Sequence, residues 1–158
     1  GLRAGTLPVP LILSLADSIK LAVARQQETQ NRLQELQNYF LQGLNKLNKP
    51  ILLNSFSGDH PSTGIVNFSF PPVEGEVMLH HLEKEKIYVG LGSACSAHSK
   101  EPSKILTGIG LSDEQARCSL RVSFSRNNTV AEIDKFLRAF SENYDKLLPT
   151  FTKKAVNK

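Results

Sequence analysis

Cys95 is the residue best placed for chemistry. It lies in the run GLGSACSAHSK at positions 90–100, among small and flexible residues. A thiolate is the nucleophilic form of cysteine, and nearby positive charge favours it, so Lys100 and His98 would raise the reactive fraction at neutral pH. The run therefore predicts a reactive thiol on a loop, although its composition is also typical of a surface loop with an incidental cysteine.

A second candidate is Arg121, in the middle of the alternating run 119–124. Its neighbours Leu120 and Val122 would point to the opposite face of a strand, which leaves the guanidinium on the polar face. A guanidinium binds a planar carboxylate through two parallel hydrogen bonds, so Arg121 is a candidate for holding the acid group of a substrate. The alternative is an arginine in an exposed ion pair, which would contribute only ~0 to 1 kcal/mol.

The other cysteine and the histidines indicate no metal chemistry. Cys118 precedes the strand-like run and is predicted to be a small buried hydrophobe. The chain has no Cys-x-x-Cys pair, and His80 and His81 are adjacent, so on a helix they would point about 100° apart. We therefore expect no metal site and no disulfide framework, with reduced thiols in a cytoplasmic protein.

Composition argues against several classes of function. The chain has 158 residues, of which 40% are hydrophobic and 22% charged, as expected for one soluble globular domain. No apolar stretch approaches the ~20 residues that span a bilayer, so we expect no membrane insertion. The net charge of +4 is partly contributed by lysines near the end of the sequence, and no basic stripe interleaved with aromatic residues supports nucleic-acid binding.

Hydrophobic periodicity predicts an α+β fold. Residues 11–47 contain no proline and carry apolar residues three or four positions apart, which predicts a long helix or a kinked pair of helices. The packing stripes of this region are Leu11, Leu15, Ile19 and Val23, followed by Leu33, Leu36, Phe40, Leu44 and Leu47. Strand patterns follow at 51–53, 65–70, 87–89 and 119–124. A last helix is predicted after the cap at 127–129 and ends at Pro149, so the whole is a small, mainly antiparallel sheet packed with helices.

Four short motifs follow one another along the chain. They are Arg3-Ala4-Gly5-Thr6, Val73-Glu74-Gly75-Glu76, Gly92-Ser93-Ala94-Cys95-Ser96 with the downstream Glu101-Pro102-Ser103, and Leu120-Arg121-Val122-Ser123. In this order they resemble the C-terminal part of cysteine desulfurases of the NifS/IscS-like group, in the class V aminotransferase family. The resemblance implies the C-terminal small domain of a fold-type I pyridoxal phosphate enzyme. It divides the chain into a cofactor-phosphate loop at 1–10, a connecting helix or helix pair at 11–48, and an α+β domain with the Cys95 loop at 49–158.

The resemblance also implies roles for the candidate residues. Cys95 would accept the sulfur of L-cysteine as a persulfide, with release of L-alanine, and Arg121 would bind the substrate carboxylate. Thr6 would reach the cofactor phosphate of the partner subunit in a homodimer. The partners would be sulfur-acceptor proteins, such as an Fe–S scaffold or tRNA-thiolation proteins.

One departure from the family limits what this chain would do alone. The Schiff-base lysine of the family, in its Ser-x-His-Lys setting, has no counterpart, because the similar Ala97-His98-Ser99-Lys100 belongs to the Cys95 loop. We therefore expect pyridoxal phosphate to be bound mainly by a separate N-terminal domain, and this chain alone to be inactive. Two alternatives stay open, which are a non-catalytic dimerisation or interaction module of the same fold and a stand-alone persulfide carrier.

Overall fold

The computed structural model describes residues 5–55, 63–91 and 102–156, in which helices pack on a small sheet. The elements in chain order are α1 (Val9–Ala24), α2 (Gln26–Lys46), β1 (Leu52–Leu53), β2 (Ile65–Ser69), α3 (Gly75–Lys84), α4 (Lys104–Gly108), α5 (Asp113–Arg117), β3 (Ser119–Ser123) and α6 (Val130–Val156). The predicted α+β class is confirmed. The kinked helix pair is also found, since α1 and α2 are separated by Arg25 alone.

The described sheet is antiparallel, with the strand order β1-β2-β3. Asn67 of β2 lies opposite Arg121 of β3, and Phe68 lies opposite Leu120. Side chains alternate along a strand, so each of these pairs occupies a different face of the sheet. Phe68 and Leu120 are completely buried, whereas Asn67 and Arg121 are partly exposed. One face therefore contributes to the core, and the other presents polar side chains.

Helices α2, α3 and α6 supply the rest of the core. The stripe predicted on α2 is buried at Leu36, Phe40 and Leu44, and α6 buries an apolar stripe at Ile133, Phe136, Leu137, Phe140 and Tyr144. The ring of Phe68 lies 6.1 Å from that of Phe40 and 5.5 Å from that of Phe140, so β2 contacts both helices. Burying one such side chain stabilises the fold by roughly 1.5–3 kcal/mol. The sheet is thus held firmly from its apolar side.

Helix α1 departs from the prediction that its apolar stripe is packed. Leu11, Leu15, Ile19 and Val23 are between 53% and 71% exposed, and no side chain of α1 is buried. The spacing correctly predicts a helix, but burial also needs a surface opposite the stripe, and the described residues provide none there. No helix within the described ranges has both the length and the apolar composition to cross a bilayer.

Residues 87–89, which the structure describes, do not form the predicted strand. Lys86 has a φ of 59°, and pairing with β3 is limited to one antiparallel bridge between Gly90 and Arg121. Ile87 and Val89 are partly buried against the core, while Tyr88 is 78% exposed. This alternation has the period of a strand, but it arises from packing without a ladder of main-chain hydrogen bonds.

Pro149 does not end the last helix, because α6 continues through it to Val156. Proline removes one main-chain donor and usually breaks a helix. Leu148 and Phe151, on either side of it, still pack against the core. Continued burial of the apolar stripe accounts for the helix that extends beyond Pro149.

Candidate functional site

The structure describes two of the three predicted site residues. Cys95 lies outside the described residues, so its predicted reactivity remains a prediction. Thr6 is exposed and precedes α1. Arg121 is partly buried in the centre of β3. Among the described residues, Arg121 is therefore the central residue of the candidate site.

Gly90 forms one side of the surroundings of Arg121. The main chains of the two residues exchange a pair of hydrogen bonds, 2.9 Å from the Gly90 amide to the Arg121 carbonyl and 2.7 Å in the reverse direction. A Cβ placed at residue 90 would lie 3.2, 3.4 and 3.6 Å from Nη2, Nε and Cζ of Arg121. The guanidinium thus lies against a main chain that has no side chain, and glycine provides the space that it occupies.

Among the described residues, the Arg121 guanidinium has no hydrogen-bond or ion-pair partner. The exposed ion pair that the sequence left open as an alternative is therefore not found in this part of the chain. An arginine carries five donor hydrogens and no acceptor, and none of these donors is used by another described residue.

Asn67 and Asn54 form the other side of the site. The Nδ2 of Asn54 donates to Oδ1 of Asn67 at 2.8 Å and to Oγ of Ser69 at 2.7 Å. Ser69 in turn donates from its hydroxyl to the main-chain carbonyl of Gln115 at 2.8 Å. The main-chain amide of Asn67 donates to Oγ of Ser55 at 2.6 Å. These bonds place both asparagines on a fixed polar network beside Arg121.

Cys118 has the environment of a structural cysteine. It is 3% exposed, and burial, followed by the negative charges of Glu114 and Glu74, raises the pKa of its thiol from 9.0 to about 12. The predicted small buried hydrophobe is confirmed, and this thiol is protonated at neutral pH. Among the described residues, no three His, Cys, Asp or Glu side chains are grouped so that they could hold a metal ion.

Sequence reasoning missed Asn54, Asn67 and Gly90 as members of this site. A signal for Asn67 was available, because it is the polar position in the centre of the run IVNFSF at 65–70. The residue opposite it in the sheet is Arg121, 54 residues further along the chain. This pairing could not be predicted without knowing the register of β2 and β3. The guanidinium of Arg121 suits a planar acid such as a carboxylate, and the amide of Asn67 lies on the same face of the sheet.

Comparison with known proteins finds relatives over most of the chain. The cysteine desulfurase IscS of Methanosarcina thermophila is 37% identical over 148 residues, covering 92% of this chain and 35% of that enzyme. A mitochondrial cysteine desulfurase of Eremothecium gossypii is 37% identical over 145 residues, covering 92% of this chain and 29% of that enzyme. The chain thus spans about a third of the length of these curated relatives.

Solved structures have the same fold. A NifS-like protein superimposes with a TM-score of 0.74 and 26% identity, over 93% of this chain and 36% of that one. The NifS-like protein of Rickettsia africae gives the same TM-score and identity, over 90% of this chain and 36% of that one. The sequence model of the class-V aminotransferases matches residues 1–136, and with these relatives it shows that the chain belongs to the Aminotransferase class-V family.

Proposed function

We propose that this chain is part of a cysteine desulfurase, in which Arg121 holds the carboxylate of L-cysteine and Cys95 accepts its sulfur. The observation that carries the proposal is the guanidinium of Arg121, which lies on the polar face of β3 without an anionic partner among the described residues. The similarity to cysteine desulfurases over 92% of the chain supports the identity of the substrate.

The proposed reaction transfers one sulfur atom and needs no external oxidant. The Cys95 thiolate supplies the electron pair of a new S–S bond to the substrate sulfur, and the bond between that sulfur and the substrate Cβ breaks. The electron pair of the broken bond stays with Cβ, which takes up a proton, so the products are L-alanine and a persulfide on Cys95. The enzyme thiol is oxidised as the substrate carbon is reduced.

Pyridoxal phosphate is the cofactor that the family implies, and it supplies an electron sink for amino-acid chemistry when bound. Among the described residues, the polar groups found around Arg121 are the amides of Asn54 and Asn67, the hydroxyl of Ser69 and the guanidinium itself, and none of them is an amine that could attach this cofactor. These side chains fit the acid group of the amino acid and not the cofactor. The exposed hydroxyl of Thr6 is suited to donate to a phosphate, and we assign it that role across a homodimer.

The partners and location belong to the same proposal. A persulfide is a sulfur donor, so its acceptors would be proteins of Fe–S assembly or tRNA thiolation. We place the protein in the cytoplasm, although one similar enzyme is named as mitochondrial. Fractionation of cells that express the natural protein would decide between these compartments.

Persulfide labelling of the chain tests the role of Cys95. The 158-residue chain would be mixed with a complete desulfurase and L-cysteine, and its peptides would then be analysed by mass spectrometry. We expect a gain of one sulfur atom on the peptide with Cys95 and none on the peptide with Cys118, whose thiol is buried and protonated. Equal labelling of the two peptides, or none on either, would contradict the proposed thiol.

Substitution of Arg121 tests the carboxylate site independently. In the complete enzyme that contains this chain, Arg121→Ala removes a hydrogen-bonded charge worth about 1.5–3 kcal/mol, so KM for L-cysteine should rise at least roughly tenfold. The matched control is Arg126→Ala, because Arg126 is exposed and has no ion pair in the described ranges. Similar KM values for the two variants would refute the assignment of Arg121.

A further inference from the structure

We propose that Asn67 is a second acid-binding residue, whose side-chain NH2 group donates to the same carboxylate that Arg121 holds. The inference rests on the proposed function, since it adds a donor to the site assigned to Arg121. It concerns a residue on a different strand, and its test separates the two assignments.

The register of the sheet places the two residues opposite each other, with both side chains on one face. Asn67 and Arg121 are directly opposite on β2 and β3. The main-chain groups of Arg121 are bonded to Gly90, and those of Asn67 to Asn54 and Ser55, so the two residues form a non-hydrogen-bonded pair. In such pairs the strands approach closely, with Cα atoms about 4.5 Å apart and both side chains on one face.

A chain of hydrogen bonds fixes which atoms of Asn67 remain available. It begins at the Gln115 main-chain carbonyl, which can only accept, so the Ser69 hydroxyl must donate to it. The Ser69 oxygen then accepts from Asn54 Nδ2, and the second hydrogen of that nitrogen is donated to Asn67 Oδ1. The Asn67 amide is therefore oriented with its oxygen occupied and its NH2 group left over.

Asn67 Nδ2 has no acceptor among the described residues. The neighbouring guanidinium also carries only donors, and both side chains are partly buried. Two groups that can only donate, carried by residues opposite each other on one face of the sheet, are matched by a ligand with several acceptor sites and negative charge. A carboxylate has two oxygens and can accept from both groups at once.

The test is an NMR titration of the 158-residue chain with sodium propionate, at ionic strength held constant with sodium chloride. Propionamide serves as the uncharged probe of the same shape. We expect the Arg121 Nε–H signal and the Asn67 side-chain NH2 signals to shift with one common Kd for propionate, and neither to shift with propionamide. This readout is independent of cofactor and of activity.

Three variants make the assignment specific. Asn67→Ala should raise the Kd for propionate about three- to tenfold, as loss of one hydrogen bond to a charged ligand predicts. Asn54→Ala releases the amide oxygen of Asn67, so it should raise the Kd about two- to threefold without removing a ligand contact. The control is Asn127→Ala, because Asn127 is exposed and its side chain makes no hydrogen bond within the described ranges; its Kd should stay within about twofold.

The outcomes separate this inference from the function on which it rests. If the Arg121 signal shifts but the Asn67 NH2 signals do not, or if Asn67→Ala binds propionate as the parent does, Asn67 is no ligand and Arg121 keeps its role. If neither signal shifts, both assignments are wrong. Should Asn67→Ala fail to fold, Asn67→Ser would be measured in its place, because the short hydroxyl of serine should still raise the Kd for propionate.

Discussion

Gly75 is the residue whose substitution should disturb the scaffold of the site most directly. It is the first residue of α3, and a Cβ there would lie 2.3 Å from the carbonyl oxygen of Ser119 and 3.1 Å from that of Arg117. Both are main-chain atoms, so relief requires α3 and β3 to separate by roughly 1 Å, and overpacking of this kind costs about 1–3 kcal/mol. Alanine has a higher helix propensity than glycine by about 1 kcal/mol at interior positions, which offsets part of this cost.

We therefore expect Gly75→Ala to lower the free energy of unfolding by about 1–2 kcal/mol. Urea denaturation followed by far-ultraviolet circular dichroism would measure it. Gly108→Ala is the matched control, because a Cβ at Gly108 meets no atom within 4 Å, and its stability should change by less than about 0.5 kcal/mol. A Gly75→Ala chain as stable as the parent would refute the argument that close approach of α3 and β3 requires glycine here.

Three further predictions concern the Cys118 thiol and Gly90, against which the Arg121 guanidinium lies. In the native chain, iodoacetamide should leave Cys118 unmodified at pH 8, and rapid modification would contradict its burial. Folding raises the pKa of this thiol from 9.0 to about 12, so the unfolded chain loses the thiol proton at a lower pH than the folded chain does. The free energy of unfolding should therefore fall as pH rises from 9 towards 12. It should fall less steeply in Cys118→Ala, which lacks the thiol. Gly90→Ala should displace the Arg121 guanidinium by a few tenths of an ångström and weaken propionate binding roughly twofold to fivefold, whereas Gly108→Ala should bind propionate as the parent does.

The helices of the core could be predicted because their burial follows directly from local spacing. On α6, apolar residues three and four positions apart lie on one side of the helix, and Ile133, Phe136 and Phe140 are indeed buried. The same rule correctly predicted a helix at α1. It also predicted that the apolar stripe of α1 is buried, and that prediction was wrong. Spacing determines which side of a helix is apolar, while burial depends on what lies opposite that side.

The segment at 87–89 shows the corresponding limit for strands. Its alternation of Ile87, Tyr88 and Val89 matches the period of a strand, but a strand also requires a partner whose main-chain groups are in register. That requirement is met only at Gly90, where the described chain bridges to Arg121. A pattern of side chains cannot distinguish packing against a sheet edge from pairing with it.

The positions of Asn67 and Arg121 relative to each other depend on the pairing of β2 with β3, and the same pairing contributes to stability. A slip of one residue between β2 and β3 would turn the Arg121 side of β3 towards the core and expose Leu120. Leu120 and Phe68 are completely buried, so such a slip would lose several kilocalories per mole of apolar burial, at roughly 1.5–3 kcal/mol for each large side chain. The apolar face therefore selects the single register in which Asn67 and Arg121 meet. Core substitutions that loosen this register should weaken carboxylate binding as well as stability, even though they touch none of the polar groups.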